Sequence, residues 1–354
     1  MALNNVGKGV ICHKLANRYQ VHVRTSGPNA GHSFYEFGKV WKMQTVPVGW
    51  CNSTANLFIG AGGLVNPMIF LKEVSEIREV MPNIVTRLRV DPNTGILDPI
   101  YEEMEGGTTG DLHQKIGSTG KGIGAARRAR IRRDGEFQVA HMVRPGQYEY
   151  DGLDFVDFVS RTTPIFVLLN RLRAKGHNIL LEGAQGCHLS LYHGPYPYCT
   201  SSDTNAAQLA ADVGLPPHAI DKVLLVARTY PIRVSGNSGP MYRELDWKTV
   251  SRRMGADLTP ERTTVTGKIR RIGEWDWALL SDACMINEPT DIALTFLDYL
   301  GVENMGATCV SQLNRQAIEL IEDIEHLHGV RVSMIGTGPK KDGKGWEVID
   351  DSAL

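Results

Sequence analysis

Cysteine is sparse and scattered in this chain. The six cysteines among 354 residues, at 12, 51, 187, 199, 284 and 309, show no C-x-x-C spacing, which argues against zinc and against a secreted disulfide scaffold. They read as thiols in a reducing compartment. Long hydrophobic runs are also missing: no stretch approaches the roughly 18 apolar residues of a membrane span, and the N-terminus lacks the charged-then-apolar layout of a secretory signal. The expectation is a soluble, cytoplasmic protein with no membrane partner. Charge of one sign is lacking as well. Lys and Arg total 38 against 39 Asp and Glu, a net charge of −1, so composition implies no polyanion-binding surface and no nucleic-acid partner. There is no internal repeat and no low-complexity linker to mark a domain boundary. What remains is a chain with 42% hydrophobic residues, enough for an ordinary globular core.

Short apolar runs at 19–23, 57–59, 178–181, 223–227, 292–297 and 330–335 alternate with helical patterns, the signature of an α/β sheet with helices on its faces. Asn66-Pro67 reads as an N-cap followed by proline at the first helical position, with Ile69, Phe70, Val74 and Ile77 as the apolar stripe. A late helix places Ile318, Ile321, Ile324 and Leu327 on one side and stops at Gly329. The turn-rich stretch 91–110 and the arginine-rich stretch 127–133 are expected as mobile loops.

Five glycine- or hydroxyl-rich elements are expected at strand ends, where open α/β sheets bind ligands. They are Val6-Gly7-Lys8-Gly9, Asn29-Ala30-Gly31-His32, Gly117-Ser118-Thr119-Gly120-Lys121-Gly122, Glu182-Gly183-Ala184-Gln185-Gly186 and Thr264-Val265-Thr266-Gly267-Lys268. Gly-Lys-Gly lets backbone N–H groups and an ammonium approach phosphate. It is not a G-x-x-x-x-G-K-[ST] loop, because no metal-binding hydroxyl follows Lys8. Taken singly, each element also fits a glycine-rich turn. His32 follows a glycine in a short loop, where an imidazole either polarises a ligand oxygen near neutral pH or is simply structural, whereas His13, His113 and His326 read as surface residues. Gln185 has one donor and one acceptor for a base edge. Lys268, Arg270 and Arg271 suit a dicarboxylate or phosphate, or form a solvated basic face.

In this order these elements resemble the adenylosuccinate synthetase family, most densely at Leu181-Glu-Gly-Ala-Gln-Gly186, Tyr196-Pro-Tyr198 and Thr200-Ser-Ser202. The segments 29–32 and 266–271, the glycine loop at 117–124, Arg233-Val234, Leu297-Asp298 and Thr337-Gly-Pro339 extend the likeness over nearly the whole chain. The resemblance implies one α/β domain over 1–354, related to the P-loop proteins, with a central, mostly parallel sheet flanked by helices. It implies a homodimer in which Arg133, or Arg132 by a one-residue slip, crosses to the neighbouring site. It implies two steps, phosphorylation of the purine 6-oxygen by a nucleoside triphosphate and displacement of phosphate by the amine of L-aspartate. His32 and Lys8 would stabilise that transfer, and the carbonyl of Gly31 would meet Mg²⁺. Asn29, Ser118, Thr119, Arg133, Gln185, Leu189 and Thr200 would hold the monophosphate. Thr266, Lys268 and Arg270 would hold aspartate and sugar, and Gly7, Lys8, Gly9, Asp298 and Gly338 the triphosphate.

The chain departs from the family's Gly-Asp-Glu-Gly-Lys-Gly-Lys loop, reading Asn4-Asn5-Val6-Gly7-Lys8-Gly9-Val10. Asn5 stands where the family has the catalytic and metal-binding aspartate, and an amide is no base at neutral pH. Lys268-Ile269 stands where ordinary members carry two arginines. With Cys199, Pro231–Val234 and Asn237-Ser-Gly239, these features resemble the phage-type N6-succino-2-amino-2'-deoxyadenylate synthases, which use dGMP and accept ATP or dATP. Asp298 points instead to GTP and to an ordinary enzyme acting on IMP. A third reading is a nucleotide-binding regulator without catalysis. A Rossmann dehydrogenase is disfavoured, because no G-x-G-x-x-G follows a first strand.

Overall fold

The computed structural model describes residues 7–263 and 267–350. All six apolar runs form strands, and these lie in two four-stranded sheets. One has the order Ile179–Glu182, Val21–Arg24, Asn56–Ile59, Leu88–Val90, with every pair parallel. In the other, Leu224–Arg228, Asp291–Thr295 and Arg331–Pro339 run parallel, and Trp346–Asp350 closes the edge antiparallel. The expected single sheet is thus interrupted in its hydrogen bonding among the described residues. Side chains span the interruption: Leu180 from one sheet and Leu224 and Val226 from the other pack on Ile11, Leu15, Ala293, Met334 and Val348.

Helices cover both faces of the parallel strands, which is why those strands read as continuous apolar runs rather than alternating ones. The helix Pro67–Val80 begins as its sequence requires, the Asn66 side chain accepting from the N–H groups of Met68 and Ile69 at 3.0 and 3.1 Å. It buries Phe70, Leu71, Val74 and Ile77 against Leu57 and Ile59, each worth ~1.5–3 kcal/mol of burial. Ile69 is only half-buried, and Leu71 takes its place. In Arg315–His328 the buried line is Ala317, Ile321 and Ile324. A 3.6-residue period carries that line on to 328, so Leu327 is swung out to solvent. Gly329 ends the helix with φ 62°.

Two loop expectations fail. The stretch 127–133 belongs to a helix, Ile123–Arg132, because Ala125, Ala126 and Ile123 supply a buried face that the arginine count hides. The stretch 91–110 contains a helix, Pro99–Glu105, capped by Asp98, whose side chain accepts from the N–H of Ile100. Among the described residues no helix is long and apolar enough to cross a membrane.

Candidate functional site

Parallel pairing fixes the heart of the site. Val21 pairs with Ile179, so three residues on Arg24 pairs with Glu182 at the carboxyl ends of both strands. The Arg24 Nη1 donates to Glu182 Oε1 at 3.1 Å, and the same oxygen lies 2.6 Å from His32 Nδ1. Glu182 Oε2 accepts from the N–H of Val48 at 2.8 Å. All three side chains are buried. Burial of the imidazole, with the Arg24 cation beside it, pushes His32 down to about 4 despite the carboxylate. Burial alone would raise the Glu182 carboxyl, but Arg24 and His32 hold it down to about 2. His32 is therefore a neutral imidazole that donates from Nδ1 to a carboxylate, which leaves the Nε2 lone pair open to a proton.

The shell around this triad is tied to one more buried acid. Arg24 also donates to the carbonyls of Ala30 at 2.9 Å and Met43 at 3.3 Å. Glu73 accepts from the N–H groups of Gln44, Thr45 and Val46 at 2.5, 3.1 and 2.9 Å. Burial pushes its carboxyl up to about 7 even against those bonds.

The Gly-Lys-Gly element opens the helix Lys8–Leu15. Gly7 has φ 85°, a left-handed conformation that glycine adopts without strain. A Cβ on Gly9 would stand 2.5 Å from the Ser33 carbonyl oxygen, so only glycine lets this helix seat on the hairpin that carries His32. Lys8 Nζ donates to the carbonyl of Gln185 at 2.5 Å, and burial lowers its ammonium to about 8. Lys8, His32 and Gln185 are thus brought together from three distant stretches.

Asn29 lies near Ile123, the residue that follows the glycine loop of 117–122: a Cβ on Gly27 would fall 2.6 Å from Ile123 Cδ1 and 3.3 Å from Asn29 Oδ1. That loop lies between two helices, Asp111–Ile116 and Ile123–Arg132, rather than at a strand end. Glu105 accepts from the N–H groups of Gly122 and Ala125, and Lys121 pairs with Glu102 at 2.8 Å. Ser118 and Thr119 therefore carry the loop's unclaimed side-chain chemistry, although Ser118 Oγ accepts from the Gly120 N–H at 3.2 Å. The Leu189 carbonyl accepts from the Thr200 N–H at 2.7 Å, so those two candidates sit side by side. Arg133 lies apart, exposed at the left-handed end of its helix.

On the other sheet, Thr295 touches both glycine elements, since a Cβ on Gly7 or on Gly336 would fall 3.0 or 3.2 Å from its Cγ2. Asp298 and Gly338 are neighbours: a Cβ on Gly338, whose φ is 83°, would fall 2.4 Å from the carboxylate. Asp298 is buried, its Oδ1 has no hydrogen-bond partner, and burial raises its carboxyl to about 7.

The basic cluster 268–271 does not act as one face. Arg270 is buried, its N–H donating to the Glu261 carbonyl while the Glu261 side chain pairs with buried Arg228. Arg271 turns to Glu244 at 2.6 Å. Lys268 is exposed and reaches His113 Nε2 at 2.7 Å. Asn5 and Thr266 lie outside the described residues. A separate cavity of about 730 Å³, lined by Ile100, Met142, Arg144 and Gln147 among others, holds none of the candidates.

Sequence reasoning missed Arg24, Glu182, Glu73, Glu261 and His113. Glu182 and Arg24 did leave a signal, a charge at the end of an apolar strand, where burial requires a partner. Their pairing becomes visible only with the strand order. His13 and His113 are half-buried rather than surface residues, His13 stacking on Phe34 beside Glu36.

The model of the adenylosuccinate synthetase family matches residues 5–157 and 151–306. An adenylosuccinate synthetase from Methanococcus aeolicus is 38% identical over 338 residues, 94% of each chain. One from Pyrococcus sp. is 34% identical, with 94% of this chain and 93% of that one covered. Among solved structures, the cyanophage S-2L succinoaminodeoxyadenylate synthetase bound to dGMP and dATP superposes with a TM-score of 0.78 at 27% identity, covering 99% of this chain and 93% of that one. The fully ligated adenylosuccinate synthetase of Plasmodium falciparum shares the fold, with a TM-score of 0.82 at 21% identity, covering 99% and 97%. By the span of the family match and the identity to these relatives, the chain belongs to the adenylosuccinate synthetase family, C–N ligases that join aspartate to a purine nucleotide.

Proposed function

We propose that this ligase joins L-aspartate to C6 of dGMP, with ATP or dATP as phosphoryl donor and GTP as an alternative, giving N6-succino-2-amino-2'-deoxyadenylate. The observation that carries this reading is Asn5, an amide in place of the family's base. A carboxylate there would demand its own solvation beside the purine, whereas a neutral side chain can sit alongside guanine's 2-amino group next to N1. The likeness to the cyanophage enzyme bound to dGMP and dATP supports the same branch.

In the first step the γ-phosphoryl group passes to O6, the nucleoside diphosphate leaves, and the N1 proton passes to solvent water. In the second, the aspartate amine attacks C6 and phosphate departs. Lys8 neutralises phosphate charge, and His32, held through Nδ1 by Glu182, meets the 6-oxygen as an imidazolium donating from Nε2, protonated against the charge of the bound phosphates. Asn29, Ser118, Thr119, Gln185, Leu189 and Thr200 hold the monophosphate, joined by Arg133 of a second copy in a homodimer. Thr266, Lys268 and Arg270 take aspartate and sugar, and Gly7, Gly9, Asp298 and Gly338 the triphosphate. Among the described residues no cluster of three acidic, His or Cys side chains forms a resident metal cage. The donors on offer are the Gly31 carbonyl and the Asn5 amide, which fits a Mg²⁺ held chiefly by substrate phosphates. When bound, that ion supplies neutralisation of the transferring charge.

A specific observation favours a second reading, the ordinary enzyme using IMP and GTP. Asp298 is buried beside Gly338 with one oxygen unpartnered, as an acceptor for guanine N1–H and N2–H would be, and the archaeal relatives are ordinary synthetases by name. Incubation with aspartate, Mg²⁺ and each pairing of IMP, GMP or dGMP with ATP or GTP, with products identified by mass, separates the two. The dGMP reading expects turnover of dGMP with IMP nearly untouched, and Asn5→Asp lowering dGMP turnover. A tenfold or greater preference for IMP in kcat/KM overturns it.

A further inference from the structure

The loop 117–122 and the segment 267–271 are remote in sequence, and two sets of contacts join them. One is direct. Lys268 Nζ lies 2.7 Å from His113 Nε2, and His113 Nδ1 lies 2.5 Å from the Ser118 carbonyl oxygen. An ammonium has donors only and a carbonyl accepts only. Nε2 must therefore carry the lone pair and Nδ1 the proton, so both contacts select the same neutral tautomer. The other set runs behind the helix Asp111–Ile116 that carries His113. Arg271 Nη1 donates to Ser238 Oγ at 3.0 Å and to the Gly239 carbonyl at 2.8 Å. Ser238 backs Gly117, where a Cβ would fall 2.9 Å from the serine Cβ, and Asn237 Nδ2 donates to the Lys115 carbonyl at 2.8 Å.

We propose that His113 is a positioning residue that couples the two substrate sites, setting the Lys268 ammonium from the loop that holds Ser118 and Thr119. The inference rests on the assignment of that loop to the purine monophosphate and of Lys268 to aspartate and sugar. An unrestrained lysine samples many rotamers, and a strut to one atom selects among them. Monophosphate that orders Ser118 then orders His113 and, through Nε2, Lys268. Binding of either substrate favours binding of the other, and the coupling is reciprocal.

The experiment compares wild type with His113→Leu, His113→Gln, Lys268→Met and the double variant His113→Leu/Lys268→Met. The Lys268–His113 contact is exposed, and melting temperature checks that the variants fold. Wild type is expected to bind aspartate about tenfold more tightly when the monophosphate is present, within the usual range of such couplings. His113→Leu should raise the KM for aspartate by about that factor with a much smaller change in kcat. Gln has one acceptor and one donor and should restore most of it, and the double variant should be no worse than Lys268→Met. Unchanged aspartate KM in His113→Leu, additive effects in the double variant, or failure of Gln to rescue overturns the proposal. Imidazole ¹⁵N shifts give a readout independent of turnover: wild type should show the Nδ1–H tautomer, lost in Lys268→Met. If no purine monophosphate is turned over, the functional reading fails, and calorimetric coupling between dGMP and aspartate decides this proposal alone.

Discussion

At the scale of single residues the site is governed by one buried charge group. Arg24 and His32 share one oxygen of Glu182, so the carboxylate both neutralises the guanidinium and fixes the imidazole tautomer. Replacing Glu182 by Gln would leave Arg24 buried without a counter-charge, which costs ~3–5 kcal/mol. Urea unfolding should show a loss of that order, and a loss below ~1 kcal/mol would mean that the pair is better hydrated than its burial indicates. His32→Ala should lower kcat at least about a hundredfold with little change in monophosphate affinity, as expected for a group acting mainly in the transition state. Initial rates and equilibrium binding measured on the same preparation check both halves, and an unchanged kcat removes His32 from the chemistry. These roles were partly legible in the sequence. His32 after Asn29-Ala30-Gly31 was an evident candidate, whereas Glu182 was quoted within a motif and given no role, because pairing across 158 positions is a matter of strand order.

At the scale of elements, backbone proximity decides more than propensity does. The helix Lys8–Leu15 seats on the His32 hairpin only because Gly9 has no side chain, and the atoms a Cβ would meet are backbone atoms that cannot swing away. Gly9→Ala should therefore destabilise by ~1–3 kcal/mol, the usual cost of overpacking, and weaken triphosphate binding through displacement of Lys8. Thermal melts and nucleotide titration read the two effects, and wild-type values for both would show that the helix shifts freely. The arginine-rich stretch teaches the opposite lesson about sequence. Its charges suggest a loop, yet Ile123, Ala125 and Ala126 pack with Leu64 and Tyr101, and Arg127 and Arg130 donate to the carbonyls of Gly62 and Ala61, so the helix is held along one side.

At the scale of the molecule, titration and assembly become testable. Burial raises the Glu73 carboxyl to about 7 from its ordinary 4.5. A raised folded-state value means that its contribution to stability is fully present below pH 4.5 and is lost as pH rises through 7. Between pH 5 and 7 the wild type should therefore lose more stability than Glu73→Gln, and parallel denaturation profiles would show that the acid is ionised throughout. For the proposed homodimer, mixing inactive Arg133→Ala chains with inactive His32→Ala chains should restore part of the activity, since a mixed dimer assembles one intact site. Demonstrated subunit exchange without recovery would show that Arg133 is not shared.

The sequence by itself determined the α/β class, the positions of the six apolar strands, the start of the helix at Pro67 and the glycine-rich turns on which the proposed ligand contacts rest. These follow from local causes: apolar runs, an Asn-Pro cap, and glycines where backbone must turn or approach closely. Only the tertiary structure decided that Arg24 meets Glu182, that Lys8 reaches the Gln185 carbonyl, that Gly338 lies against Asp298, and that the basic residues 268, 270 and 271 part company. Each of these is a contact between strands or loops far apart in the chain. Which partner a buried charge finds is fixed by sheet order and register, and neither is written in any single stretch of residues.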